Sequence, residues 1–346
     1  MIQTSSGAPI IRPLDPGESF FYLSDRVSCM NFVVFAERRG HLPLERLRQA
    51  LDLVQQENLL LRASIHWTLE NGLCFTQAGG LAIELRCHSV TAEDWQQRIE
   101  QQLSEPFAFE AAPLMRCLYL QTASPARSVL ALCFHHSIAD GRSGMALLQS
   151  LLTLLAGGTL PKASIAHLPP MAERVPPAFR WAEQAQAAKA LKSAVVADYR
   201  RHGVPTPLPW LDHAAETSSP QLHRLQFDAD CTRGLMARAR AEHTSLHGAL
   251  CAAQLLAVSQ QQPDLPRQVL MLGSPVDMRA HLTPTPPLSP TGLFVAIVSS
   301  NHRIDPDTSV WALAREIRGQ MQCQLARGEA HLFYALYGLD GTPSSA

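Results

Sequence analysis

Hydrophobic residues recur along this chain in two alternating patterns, one typical of strands and one typical of helices. A continuous apolar run at residues 129–134 predicts a strand that is buried on both faces. Residues 44–54 instead carry leucine or valine at steps of three and four, which predicts a helix with one buried face. The alternation continues to the C-terminal part and predicts an α/β (α+β) fold, with mixed sheets flanked by helices.

The predicted elements fall into two blocks. Strands are predicted at residues 31–36, 59–65, 114–120, 129–134, 223–227, 269–272 and 293–300. Helices are predicted at residues 44–54, 95–103, 145–155, 177–202, 230–242, 245–261 and 309–327. Glycine and proline are frequent at 157–177, which favours a crossover between two lobes there. We therefore expect a first lobe over residues 1–176 and a second over residues 177–346.

Composition narrows the classes of function. With 346 residues, of which 46% are hydrophobic, the chain is long enough for about two domains with sizeable cores. Twenty-nine basic and 30 acidic residues give a net charge of −1, and no basic run interleaved with aromatic residues is found. We therefore expect no nucleic-acid partner.

Cysteine usage and hydropathy indicate the compartment. The eight cysteines show no CxxC spacing, and several lie in apolar runs, so buried free thiols in a reducing cytoplasm are expected. The N-terminus lacks a basic region followed by an apolar stretch, and no apolar run approaches the roughly 20 residues of a membrane span. A cytoplasmic protein without signal peptide or membrane span is expected.

The strongest candidate chemistry follows the apolar run at 129–134. His135 and His136 are followed by Asp140 and Gly141, in the pattern His-His-x-x-x-Asp-Gly. An imidazole titrates near neutral pH and is the usual side chain for taking a proton from a nucleophile. Asp140 is placed to fix the turn after the strand. Gly141 suits a sharp bend or a positive φ, and a helix follows.

A metal site is the rival use of the two histidines. Adjacent residues on an extended strand point to opposite faces, so His135 and His136 are not expected to bind one ion. The other histidines show no HExxH or HxH grouping. We expect no metal.

The histidine string resembles the signature of the acyl-CoA-dependent acyltransferase superfamily. This superfamily includes chloramphenicol acetyltransferase, plant BAHD acyltransferases, non-ribosomal peptide condensation domains and phthiocerol dimycocerosyl transferases. Residues 274–279, Ser-Pro-Val-Asp-Met-Arg, are similar to an element of the last two branches. Residues 40–51 and 106–116 are similar to segments that precede the histidine motif. The resemblance implies two chloramphenicol-acetyltransferase-like lobes with a tunnel between them.

The resemblance also implies roles for individual residues. His136 is the expected general base, and His135 is expected to support it. Asp140 and Gly141 are expected to be structural, with Asp140 paired to Arg279. The implied co-substrate is an acyl-CoA or a phosphopantetheine thioester on an acyl carrier protein, and the acceptor is an alcohol or amine. No permanently bound cofactor is implied.

One departure affects the second lobe. The family's late Asp-Phe-Gly-Trp-Gly motif is not found before the chain ends at residues 339–346. The last strand or two of the second lobe are therefore expected to be missing. A short family member, a truncated product and a lobe completed differently all stay open.

Three functions remain open. The leading hypothesis is an acyltransferase of lipid, polyketide or non-ribosomal peptide metabolism. The first alternative is a non-catalytic, condensation-like module that docks a carrier protein in a synthase complex. The second is a hydrolase that uses water as acceptor. Asp140 as a member of a catalytic triad is a less favoured role than the ion pair with Arg279.

Overall fold

The computed structural model describes residues 9–77, 80–91, 94–111, 113–122, 126–160, 169–180, 185–208, 219–262, 264–265 and 267–336. The chain divides into two compact units. The first comprises Met1–Val175, Ala215–Leu222 and Arg279–Val295, and the second comprises Pro176–Ala214, His223–Met278 and Ala296–Ala346. The main change of unit, after Val175, lies next to the sequence division after residue 176. The sequence division differs at Ala215–Leu222 and Arg279–Val295, both of which it assigns to the second lobe.

The first unit contains two sheets and their helices. Its strands are β1 (Ile10–Pro13), β2 (Asn31–Arg39), β3 (Ala63–Thr68), β4 (Gly72–Gln77), β5 (Glu84–Ser89), β6 (Met115–Thr122) and β7 (Arg127–His135). Its helices are α1 (Pro16–Ser24), α2 (Leu44–Glu57), α3 (Trp95–Ser104) and α4 (Gly141–Leu155). One sheet has the order β2-β7-β6-β5, and the other has the order β1-β4-β3. β5 and β6 are parallel, whereas β7 is antiparallel to both of its neighbours.

The central position of β7 explains its continuous apolar sequence. β2 and β6 flank it in the sheet. On one face its side chains join a core cluster with residues of α2 and α4, and on the other they meet Trp95 and Ile99 of α3. A strand covered on both faces needs apolar residues at every position rather than at every second one. This burial places the end of β7, and the two histidines there, at a rigid point of the unit.

The second unit is mainly helical. Its helices are α5 (Ala185–His202), α6 (Ala229–Ala241), α7 (Leu246–Ser259), α8 (Val310–Ala326) and α9 (Glu329–Leu336). β8 (Gln268–Asp277) pairs with β9 (Val295–Ile304), which starts at the last residue of the first unit. Apolar residues of α7, α8, β8 and β9 form its core. The predicted fold class of mixed sheets flanked by helices is confirmed.

Two strand predictions are wrong in detail. Residues 223–227 form no strand and are exposed, with Leu225 at 85% and Phe227 at 52%. These residues alternate in sequence but not in burial, and no strand in the described part of the chain pairs with them. Leu59–Arg62 is a 3₁₀ turn, and β3 starts only at Ala63. A short apolar run does not by itself distinguish a strand from a buried turn.

The structure shows which cysteine side chains are buried and whether any described helix is suited to cross a membrane. Four cysteines are buried as expected, namely Cys74, Cys117, Cys133 and Cys251. The expectation is wrong for Cys87, Cys231 and Cys323, which are exposed.

Within the described ranges, every helix falls short of the length and apolar character that spanning a bilayer requires.

Candidate functional site

The histidine motif occupies the connection between β7 and α4. β7 ends at His135, and α4 begins at Gly141. Asp140 is the N-cap residue of α4, with extended backbone angles, and its Oδ1 accepts a hydrogen bond from the Ser143 amide at 2.8 Å. Aspartate is a preferred N-cap because it satisfies an amide that the helix leaves free. The sequence therefore ends the strand, turns and starts the helix within five residues.

The second carboxylate oxygen of Asp140 faces a cation and a backbone amide. Arg279 Nη2 lies 3.0 Å from Asp140 Oδ2, and both side chains are 6% exposed. The Phe294 amide donates to the same oxygen at 2.8 Å. The ion pair implied by the resemblance is present. A buried carboxylate with these partners holds the turn in place, and its oxygens are occupied by structural contacts.

Residues 292–294 close the other side of the turn. The Gly292 carbonyl accepts from the Asp140 amide at 3.2 Å and from Ser143 Oγ at 2.8 Å. Arg279 Nη2 also donates to Ser143 Oγ at 2.8 Å. Ser143 was not among the residues predicted from the sequence, although its position three residues after the N-cap marks it as a neighbour of Asp140. Gly292 and Phe294 could not be predicted from their residue types, because they contact the motif through backbone groups.

The His136 ring has a defined tautomer. Its Nδ1 lies 3.1 Å from the Ala139 carbonyl oxygen. A carbonyl oxygen only accepts hydrogen bonds, so Nδ1 carries the ring proton and Nε2 carries the lone pair. The His136 amide donates to the Met30 carbonyl at 3.0 Å and fixes the backbone beneath the ring. His136 is half-buried, so the residue is not sealed in the core as His135 is.

Two phenylalanine rings enclose the imidazole. Phe21 is stacked on it with ring centroids 4.4 Å apart and an angle of 15°, and Phe32 lies 4.5 Å away at 40°. Burial lowers the pKa of His136 from 6.5 to about 4, although the hydrogen bond to Ala139 and the charge of Asp140 oppose this shift. The ring is therefore neutral at pH 7, with Nε2 able to accept a proton.

His135 lies in the core and not beside its neighbour's ring. Its side chain is fully buried, and its Nδ1 accepts from the Ser137 amide at 3.1 Å. Nε2 therefore carries the proton and lies 3.5 Å from Asp25 Oδ1. Burial raises the pKa of Asp25, but hydrogen bonds from the His135 ring and the Met30 amide outweigh it, and the net pKa is lowered. Asp25 was not among the residues predicted from the sequence.

The helix that carries Phe21 is tied to the histidine turn. Asp15 and Glu18 form a capping box at the start of α1, and Arg12 donates to both Glu18 oxygens at 2.6 Å. The Glu18 carbonyl accepts from Ser137 Oγ at 3.0 Å. Burial and the charge of Glu18 raise the pKa of Asp15 to about 7. This cluster sets where the Phe21 ring meets His136.

The two glycines near the start of α4 differ in their surroundings. A Cβ added to Gly141 would meet nothing within 4 Å, and the residue is not among the glycines with positive φ. Of the two expectations for Gly141, a sharp bend or a positive φ, the positive φ is not found, and the N-cap at Asp140 makes the turn. A Cβ at Gly144 would instead lie 2.9 Å from Phe32 Cε2. Gly144 is thus the residue that lets Phe32 approach α4.

Gly144→Ala should destabilise the first unit by about 1–3 kcal/mol, because the added methyl overpacks against Phe32 and displaces it from His136. Urea unfolding of both proteins measures the loss. Gly141→Ala, in the same helix but in open space, is the matched control and should show no loss. Equal stability of the two variants would contradict the close packing of Gly144.

The proton affinity of His136 can be tested without a substrate. Between pH 4 and 6.5 the unfolded chain binds a proton at this histidine and the folded chain does not. His136 therefore contributes stability that is full above pH 6.5 and is lost as the pH falls towards 4. When the pH is lowered from 7 to 5, we expect the free energy of unfolding of the wild type to fall more than that of His136→Asn. A difference independent of pH would contradict the lowered pKa.

No metal ligand set accompanies these residues in the described part of the chain, where no three His, Cys, Asp or Glu side chains are grouped to hold an ion.

Comparison with known proteins adds a sequence relationship. Residues 216–339 match the family described as "Phthiocerol/phthiodiolone dimycocerosyl transferase C-terminus". Over 128 residues, the chain is 30% identical to tyrocidine synthase 3 of Brevibacillus parabrevis. This alignment covers 37% of the chain and 2% of that synthase, so the chain spans a very small part of its curated relative.

Solved structures share the fold at low sequence identity. Polyketide synthase associated protein 5 from Mycobacterium tuberculosis matches with a TM-score of 0.68 and 20% identity. The match covers 97% of this chain and 79% of that protein's chain. The first condensation domain of the calcium-dependent antibiotic synthetase matches with a TM-score of 0.70 and 15% identity, over 96% and 78%. The starter condensation domain of rhizomide synthetase, solved with C8-CoA, matches with a TM-score of 0.63 and 19% identity, over 96% and 76%. These matches confirm the fold that the resemblance implied.

Proposed function

We propose that this chain, which has the fold of condensation domains and polyketide-associated transferases, moves an acyl group from a thioester to a hydroxyl or amine, with His136 as general base. The observation that carries the proposal is the hydrogen bond from His136 Nδ1 to the Ala139 carbonyl. It directs the lone pair of Nε2 away from the turn, on a half-buried ring that is neutral at pH 7. His135 supports the motif from the core.

The proposed reaction needs one proton acceptor and no acyl-enzyme. The acceptor oxygen or nitrogen attacks the thioester carbonyl while its proton moves to His136 Nε2. The tetrahedral intermediate then collapses, the carbon–sulfur bond breaks, and the imidazolium returns the proton to the leaving thiolate. General-base assistance of this kind contributes about 10²–10⁴ in rate.

Asp140 and Arg279 are structural in this proposal. Both Asp140 oxygens are engaged, by the Ser143 amide on one side and by Arg279 and the Phe294 amide on the other. A carboxylate held this way orients the helix start, and its charge adds to the field at His136. This arrangement supports the structural role of Asp140 over a role in proton transfer.

The proposed donor is an acyl-CoA or an acyl group on the phosphopantetheine arm of a carrier protein. The neighbour solved with C8-CoA supports an acyl-CoA donor, and the likeness to tyrocidine synthase 3 supports a carrier protein as partner. We propose no resident metal or cofactor. Peptide or polyketide synthesis is the setting that these relatives suggest.

Thiol release tests the proposal. The protein is incubated with acyl-CoAs from C2 to C16 and with acyl-phosphopantetheine carrier protein, each with and without alcohols and amines. We expect release that depends on an acceptor, together with an ester or amide seen by mass spectrometry. Release without acceptor would indicate the hydrolase. Carrier-protein binding without any release would indicate the non-catalytic docking module.

The activity should also follow the pKa of His136. An imidazole with a pKa of about 4 stays in its base form through the neutral range. We expect kcat/KM to be level between pH 5.5 and 8 and to fall as the pH approaches 4. A fall centred near pH 6.5 would show that the ring is not desolvated as described.

A further inference from the structure

The second unit contains a hydrogen-bonded relay of a serine, a histidine and a glutamate. Ser300 and His302 are two residues apart on β9, and therefore on the same face of the strand. Ser300 Oγ lies 2.7 Å from His302 Nε2, and His302 Nδ1 lies 2.9 Å from Glu316 Oε1 on α8. Because a carboxylate accepts, Nδ1 carries the ring proton and Nε2 is left to accept the proton of the Ser300 hydroxyl.

Burial and a fourth side chain hold the relay in one geometry. His302 is fully buried and Ser300 is 8% exposed, so neither side chain has free rotation in water. Glu316 has a half-exposed side chain, and its Oε1 also accepts from Gln320 Nε2 at 3.0 Å. The carboxylate thus stays oriented towards the ring. This order of contacts is the one by which a histidine activates a serine nucleophile.

The relay borders a cavity. Ser300 and Gln320 are among the residues that line a space of about 370 Å³ within the second unit. Arg201 and Cys323 also line it, and Cys323 is exposed, so solvent reaches the space. The volume is at the lower end of the roughly 300–1,000 Å³ of ligand pockets and suits a small molecule.

We propose that Ser300, His302 and Glu316 form a second catalytic site, which hydrolyses small esters and uses none of the residues of the histidine motif. Ser300 Oγ attacks the ester carbonyl while its proton moves to His302 Nε2. The ester carbon–oxygen bond breaks, and the leaving alcohol takes that proton. Water then attacks the carbonyl of acyl-Ser300 while its proton moves to His302 Nε2. The carbon–oxygen bond to Ser300 breaks, Ser300 Oγ takes that proton, and the carboxylic acid leaves. Glu316 is a positioning residue that orients His302.

A fluorophosphonate probe on the full chain tests this site. An activated serine forms a phosphorus–oxygen bond with the probe as fluoride leaves, and the adduct is measured by intact mass and peptide mapping. We expect one adduct on Ser300, none in Ser300→Ala, and labelling of His302→Gln slowed at least about 100-fold. Ser259→Ala is the matched control, because Ser259 donates only to the Leu256 carbonyl, and its labelling should equal that of the wild type.

Glu316 provides a variant at a partly exposed position, where folding is not at risk. Glu316→Gln should lower kcat for p-nitrophenyl acetate with little change in KM, and Glu316→Asp should restore most of it. Thermal unfolding checks that each variant is folded. The proposal is overturned if the wild type forms no adduct, if the adduct maps to Ser299, or if His302→Gln is labelled as fast as the wild type.

Discussion

Arg279→Ala should lower the free energy of unfolding of the first unit by about 3–5 kcal/mol, the range for removing one partner of a buried ion pair. The loss arises because Asp140 would keep a charge in an interior where it is 6% exposed. Ser143 Oγ would also lose its contact with the guanidinium, and the start of α4 would lose a support on one side. Urea unfolding, followed by a signal assigned to the first unit, measures the effect.

Two further variants show whether the stranded charge is the cause. Adding Asp140→Asn to Arg279→Ala should recover part of the stability, because the amide can still cap α4 without carrying a charge. Arg98→Ala removes an exposed arginine of α3 in the same unit and should change stability by less than about 0.5 kcal/mol. Normal stability of Arg279→Ala with only a catalytic defect would contradict the structural role of the pair.

His136→Ala should reduce kcat/KM for acyl transfer by at least about 100-fold, because it removes the proposed general base. The fold should survive the change, since the ring is half-buried and its neighbours Phe21 and Phe32 belong to separate elements. The thiol-release assay with an acceptor present gives the rate. Thermal unfolding separates a chemical defect from an unfolded protein.

Control variants separate the base from the rest of the motif. His223→Ala, at an exposed position of the second unit, should leave kcat/KM unchanged. His135→Asn should affect stability more than rate, because His135 is fully buried and contacts the Ser137 amide and Asp25. Turnover of His136→Ala equal to that of the wild type would remove His136 as the base.

Residue types and their order are enough to predict the strand, turn and helix around the motif. The apolar run of β7 predicts a central strand because both of its faces are covered, and Asp140 predicts the helix start because aspartate is a good N-cap. Those are properties of neighbouring residues, so they can be predicted from adjacent positions. The strand predicted at 223–227 was wrong because a strand also needs a pairing partner, and the local sequence does not specify that partner.

The chemical state of the candidate groups depends instead on how the chain folds in three dimensions. The proton on His136 Nδ1 follows from the turn that brings the Ala139 carbonyl to 3.1 Å, and the lowered pKa follows from rings delivered by α1 and β2. The contacts between His302 and Glu316 likewise depend on how α8 packs on β9. Desolvation and hydrogen-bond geometry depend on atoms that are distant along the chain, so residue types and spacing identify the histidine while packing sets its proton affinity.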